Sequence, residues 1–211
     1  LYHTSTEGKV LENPKNAAPE FLFQRTVSPE KAPNKASFVT IGFKNGDPVS
    51  INYKKLSPAN LLKKLNDIAG KNGIGRIDLV ENRFIGIKSR GVYETPGGTL
   101  LMCAHRAIES VTLDKKTMHK KDEIMPKYAE LIYNGYWYSK KRFKLQKIVD
   151  LKKNKVNGLV KLKLYKGNIT IVSRQTKSQA YSIKKVSFEE NKTFNKLNVE
   201  KFINFHKKQL K

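Results

Sequence analysis

Apolar residues change their spacing several times along this chain, and each change marks an element. Phe38-Val39-Thr40-Ile41-Gly42-Phe43 and Val49-Ser50-Ile51-Asn52-Tyr53 are short apolar runs on either side of Lys44-Asn45-Gly46-Asp47. Asn-Gly in that setting predicts a hairpin, because both central residues of a type I′ turn take positive φ. From Ser57-Pro58 the spacing becomes helical. Leu61, Leu62, Leu65, Ile68 and Ala69 share one face, Ser caps it, Pro fits the first turn, and Gly70 and Gly73 close it. Further helices are predicted from about Leu100 to Leu113, from about Asp122 to Tyr138 with Pro126 in its first turn, and on to about Leu151. In the second of these, Ile124, Tyr128, Leu131 and Ile132 face the core. Alternating Leu and Lys over 158–165, then Lys166-Gly167-Asn168 and Ile169-Thr170-Ile171-Val172, predict a second hairpin with one face buried. Val199, Phe202, Ile203, His206 and Leu210 predict a short amphipathic helix, after a stretch from Phe188 to Asn195 that reads as loose. Strands and helices without regular β–α–β alternation predict an α+β fold.

Two stretches break these patterns. Residues 1–36 carry Pro14, Pro19, Pro29 and Pro33 and no sustained period, which predicts an extended wrapping segment anchored by Phe21, Leu22 and Phe23. The window 75–99 mixes acids, bases, a tyrosine and glycines. Ile77, Leu79, Phe84 and Ile85 suggest a partly buried strand with a bulge or bend near Asn82-Arg83. Thr95-Pro96-Gly97-Gly98-Thr99 reads as a turn ending at a helix N-cap, whose free peptide N–H groups suit an anion. Such a strand and loop suit a binding site held on a scaffold.

Composition narrows the chemistry. The 211 residues carry a net charge of +24, from 35 Lys, seven Arg and 18 acids. The excess raises nucleic-acid binding as an alternative. Lysines spread along the chain, with few arginines for base readout, favour a solvated surface instead, and specific nucleic-acid binding is not expected. No apolar run reaches 18 residues, so no membrane span is expected. The single Cys103 excludes a disulfide framework and a multi-Cys zinc site, and sits on an apolar helix face as a buried thiol. His3, His105, His119 and His206 are scattered, and no metal site is expected. Tyr133, Tyr136, Trp137 and Tyr138 form an aromatic cluster suited to a core or an interface.

As text the central window is more specific. Gly73-Ile74-Gly75-Arg76-Ile77-Asp78-Leu79-Val80-Glu81-Asn82-Arg83, then Lys88-Ser89-Arg90-Gly91-Val92-Tyr93-Glu94-Thr95-Pro96-Gly97-Gly98-Thr99 and Ala104-His105-Arg106, resemble argininosuccinate synthase. The similarity starts near His3-Thr4-Ser5-Thr6-Glu7-Gly8 and weakens after Ser173. It implies a cytoplasmic enzyme that joins citrulline to aspartate using ATP with Mg2+, through a citrullyl-adenylate, releasing pyrophosphate and AMP. Ser5, Glu81 and Tyr93 match citrulline contacts: an ionised acceptor for the α-ammonium and two neutral hydrogen-bonding groups. Each has a mundane alternative. Glu81 could pair with Arg83 or Arg90, Tyr93 could be a core residue with its hydroxyl at the rim, and Ser5 could cap a turn. No residue here is assigned a catalytic role.

The family's Ser-Gly-Gly-x-Asp phosphate loop does not occur in these residues. The resemblance therefore implies the C-terminal portion of a longer enzyme, inactive alone, with ATP held mainly by the other half. It also implies a synthetase domain over 1–183, a mixed or antiparallel sheet with hairpins packed by helices. Residues 184–211 would then be a linker and a C-terminal helical arm for assembly into a homotetramer. A purely structural oligomerisation module is a further alternative.

Overall fold

In the computed structural model, which describes residues 1–177 and Tyr181, the chain folds as two antiparallel sheets and four α-helices, an α+β fold. The amphipathic run at 199–210 and the division at 183/184 lie outside the described residues.

The larger sheet is built from the two expected hairpins. β2 (Ser37–Lys44) and β3 (Asp47–Ile51) turn at Asn45 and Gly46, with φ of 51° and 83°. β7 (Gly158–Tyr165) and β8 (Asn168–Gln175) turn at Lys166 and Gly167, with φ of 45° and 80°. With the short β4 (Lys54–Lys55), the strand order is β4–β3–β2–β7–β8. The Leu/Lys alternation of β7 puts Val160, Leu162 and Leu164 in the core and Lys161 and Lys163 in water. Opposing them are Leu61, Leu65 and Ala69 of α1 (Pro58–Lys71) and Leu100, Ala104 and Ile108 of α2 (Pro96–Thr112). Each such valine, leucine or isoleucine contributes about 1.5–3 kcal/mol on leaving water.

The helix boundaries differ from those expected, and tertiary partners explain why. Gly70 lies inside α1 rather than ending it. An added Cβ there would stand 2.2 Å from the Arg25 carbonyl oxygen, and Val27 N–H donates to the Gly70 carbonyl at 3.0 Å, so the glycine admits the N-terminal segment. α2 begins at Pro96, not after Thr99, with Gly97 and Gly98 buried in its first turn. α3 (Lys115–Tyr133) begins seven residues before Asp122, because Asp114 accepts from Thr117 N–H at 3.0 Å. Pro126 is therefore internal and on the exposed side, while Ile124 and Leu131 are buried and Ile132 is exposed. Tyr136, Trp137 and Tyr138 belong to a turn, and a separate α4 (Lys140–Val149) starts at the Ser139 cap. These aromatics are exposed, so they form no part of this chain's core. Trp137 and Phe143 both stack on the Arg142 guanidinium. Cys103 is half-buried rather than fully enclosed, and desolvation pushes its thiol up.

The smaller sheet has the order β1–β6–β5, from β1 (Thr4–Glu7), β5 (Arg76–Asn82) and β6 (Lys88–Glu94). Central β6 runs directly into α2, which joins this sheet to the core. The expected bulge at Asn82-Arg83 is the end of β5. Arg83 N–H donates to the Ile87 carbonyl at 2.7 Å and closes a turn through Gly86, leaving Phe84 and Ile85 72% and 76% exposed at its tip. Most of residues 1–36 is irregular, as expected, but Phe21 is exposed and does not anchor it. Buried Glu94 does, accepting from Gln24 N–H (2.8 Å), Arg25 N–H (2.9 Å) and the Thr26 hydroxyl (2.7 Å). Arg76 completes the seam, bonded to Thr26 and forked onto Glu20, with Phe23 stacked 3.9 Å from its guanidinium carbon.

Candidate substrate site

Strand register decides which side chains meet. Ser5 and Ile77 both lie opposite Tyr93, Glu7 and Leu79 opposite Gly91, and Glu81 opposite Ser89. Because side chains alternate across a strand, Ser5, Glu7, Ser89, Tyr93 and Glu81 all rise from one face of the smaller sheet. The three residues matched to citrulline contacts are therefore brought onto a common face.

Tyr93 and Glu81 are joined directly: the phenol donates to Glu81 Oε1 at 2.6 Å. The ring reaches this far by lying along β6 over Gly91, where an added Cβ would stand 2.8 Å from Tyr93 Cε2. The hydrogen bond to Glu81, followed by desolvation, pushes the phenol up to about 12, so it stays a neutral donor. Ser5 is exposed on edge strand β1, and the His3 ring stands 6.1 Å from that of Tyr93.

Neither arginine takes Glu81 as its partner. Arg90 points from the reverse face and forks onto Asp78 at 2.9 and 2.6 Å, which holds the Asp78 carboxyl below the usual range. Arg83 donates through Nε to Ser89 Oγ at 2.6 Å and pairs with Glu7. Glu81 thus carries its carboxylate beside a phenol, with no ion pair among the described residues. Glu7, Arg83 and Ser89 belong to this face. Their two-residue alternation with Ser5, Glu81 and Tyr93 is the signal in the sequence that could have grouped them.

At the start of α2 the Gly97 N–H is already taken and is not offered to an anion. Gly97 N–H donates to Asn66 Oδ1 at 2.9 Å, and the Tyr2 ring covers Gly98. Among the described residues no group of three or more His, Cys, Asp or Glu is placed to hold a metal ion, and no helix is long and apolar enough to cross a membrane. The sheet face is open rather than enclosed. A cavity of about 430 Å³ adjoins it at Glu7, Gly8, Glu12, Lys88, Ser89 and Arg90. A larger one of about 720 Å³ lies elsewhere, between α2, α3 and the β2–β3 turn.

The described residues thus define an antiparallel α+β domain that presents a carboxylate–phenol pair on an open strand face. The sequence comparisons make this specific. The family described as arginosuccinate synthase C-terminal domain matches residues 1–211. An argininosuccinate synthase of Pelagibacter ubique (strain HTCC1062) is 89% identical over 211 residues, covering 100% of this chain and 53% of that protein. Argininosuccinate synthases of Brucella suis biovar 1 (strain 1330) and Brucella canis (strain ATCC 23365 / NCTC 10854 / RM-666) are each 59% identical over 191 residues, 90% of this chain and 47% of theirs. This chain belongs to the argininosuccinate synthase family, in its C-terminal domain. It spans about half the length of the curated relatives it matches.

Proposed function

We propose that this chain is the citrulline-holding part of an ATP-dependent carbon–nitrogen ligase that condenses citrulline with aspartate to argininosuccinate, in arginine biosynthesis. The observation that carries the reading is the Tyr93–Glu81 hydrogen bond with Ser5 opposite Tyr93 on the same open face. Glu81 accepts from the substrate's α-ammonium. Tyr93 and Ser5 fix its orientation through neutral hydrogen bonds, and holding reactants in place is the protein's main catalytic contribution. The names of the relatives support the same assignment.

No Ser-Gly-Gly-x-Asp phosphate loop occurs in this sequence. The one Gly-Gly pair, Gly97-Gly98, is buried at a helix start already capped by Asn66. In this reading ATP with its Mg2+, and most of the aspartate site, belong to the remainder of a full-length cytoplasmic synthase that assembles as a homotetramer. The test is Glu81→Ala in that full-length enzyme. It is expected to lower kcat/KM for citrulline by about 10²-fold or more, as loss of a charged hydrogen-bond partner does. Unchanged citrulline kinetics would remove the assignment.

A further inference from the structure

One side chain crosses the whole width of the smaller sheet. Arg83 leaves the chain just past the end of β5. Its Nε meets Ser89 on central β6, and its Nη2 meets Glu7 on the far edge strand β1. Among the described residues β1, four residues long, pairs with β6 alone, and it carries Ser5 two positions from Glu7. The chain before β1 is tied at the Leu1 carbonyl, which accepts from Arg25 and Asn66 at 3.0 Å, and the chain after it at buried Leu11. Between these anchors the Arg83 bridge adds a side-chain tie on the strand itself, two residues from Ser5, and helps fix the distance from Ser5 to Tyr93.

The same bridge sets the charge of the face. Two carboxylates, Glu7 and Glu81, rise from it, and Arg83 is ion-paired to Glu7 alone. The phenol of Tyr93 feels Glu81, Glu7 and Arg83 together, so the four groups form one electrostatic cluster. With Glu7 paired, Glu81 is left outside a salt bridge, though within the field of Arg83, which suits a ligand end bearing one positive charge. Without the arginine, the face would present two negative charges and favour ligands with two positive ones.

We propose that Arg83, through its bridge to Ser89 and Glu7, is a positioning and specificity-determining residue of this amino-acid site, holding Ser5 in register with Tyr93 and leaving Glu81 as the one ammonium acceptor. The proposal rests on the reading of the site given above. Arg83 acts through Glu7 and Ser89 and has no assigned contact with the reacting atoms.

Steady-state kinetics on the full-length synthase, with wild type, Arg83→Gln, Arg83→Lys, Glu7→Gln and Glu81→Gln side by side, tests it. Arg83→Gln is expected to raise the KM for citrulline about tenfold while the KM for ATP stays within about twofold. 2,4-Diaminobutyrate, which carries a second ammonium two carbons from the α-carbon and so at the end that meets Glu81, is expected to compete several-fold better against this variant, on the order of the gain from one added charge. Arg83→Lys keeps the charge but not the fork, and should fall between wild type and Arg83→Gln. Glu7→Gln should raise the citrulline KM without improving competition by 2,4-diaminobutyrate, and it reports on the bridge if Arg83→Gln does not fold. The proposal is overturned if Arg83→Gln leaves the citrulline KM within about twofold of wild type, or raises the KM for citrulline and ATP together, as a general loss of structure would. Glu81→Gln separates the two levels. If it raises the citrulline KM and Arg83→Gln does not, only the bridge is wrong. If Glu81→Gln changes nothing, the reading of the site itself is wrong.

Discussion

The hydroxyl of Tyr93 donates to Glu81 at 2.6 Å although the two are not cross-strand partners: Tyr93 lies opposite Ile77, four residues back along β5. This diagonal reach makes the phenol a marker of the intact site at alkaline pH. Its proton is bound more tightly in the folded protein than in an unfolded chain. The resulting stability is complete below about pH 10, the ordinary tyrosine value, and is lost as pH rises through about 12. Spectrophotometric titration should show one late-ionising tyrosine that disappears in Tyr93→Phe. A variant whose last-ionising component is unchanged would contradict the pairing.

The reach depends on Gly91. A methyl group there would meet the ring at 2.8 Å from Cε2 and 3.1 Å from Cζ. Gly91→Ala is therefore expected to cost about 1–3 kcal/mol by overpacking, or to turn Tyr93 away from Glu81 at a similar cost. Thermal melting and citrulline kinetics together distinguish these outcomes. A Gly91→Ala enzyme with wild-type stability and KM would show that the ring lies elsewhere.

Glu94 governs the N-terminal segment. Glu94→Ala leaves two peptide N–H groups and the Thr26 hydroxyl without their acceptor in a site only 2% exposed. The expected loss is about 3 kcal/mol or more, and Glu94→Gln should cost less because one amide oxygen still accepts. Urea denaturation measures both, and limited proteolysis should cut first within residues 14–34.

Asp114 gives the opposite pH dependence. Lys152, followed by Thr117, holds its carboxyl well below the usual range. A lowered value means stability that is present above about pH 4 and fades as the carboxylate is protonated in acid. Melting temperatures at neutral pH should rank wild type above Asp114→Asn and that above Asp114→Ala, since asparagine still caps α3. The gap between wild type and Asp114→Asn should close towards low pH.

Local pattern was enough for part of this molecule. Asn45-Gly46 takes the positive φ its letters require, the Leu/Lys alternation of β7 sorts core from water, and the central window identifies the family. The α2 start was misplaced because Pro96-Gly97-Gly98 looks like a turn until Asn66, some thirty residues earlier, supplies the cap. Pro126 likewise imitates a helix start, although Asp114 had already begun α3. Phe84 and Ile85 read as part of a partly buried strand and are the exposed tip of a hairpin. Glu94 looked like one more acid in a charged window, and its three donors lie 68–70 residues away. For the site, the alternation of Glu81 and of Gly91 with Tyr93 was legible within each strand. The pairing of β1 with β6, which adds Ser5 and Glu7, was not, because it joins strands more than 80 residues apart.

The two faces of the smaller sheet hold different arrangements: Arg90 locked to Asp78 on one, Glu81 joined to the Tyr93 phenol on the other. Which residues occupy which face is a matter of parity. Deleting or inserting one residue between Ile77 and Glu81 would turn Glu81 to the side of Arg90, whereas the exposed tip at 84–86 lies outside both strands, where a change of length can be taken up in the loop. Length variation among homologous chains should accordingly be tolerated at that tip and purged from the strand.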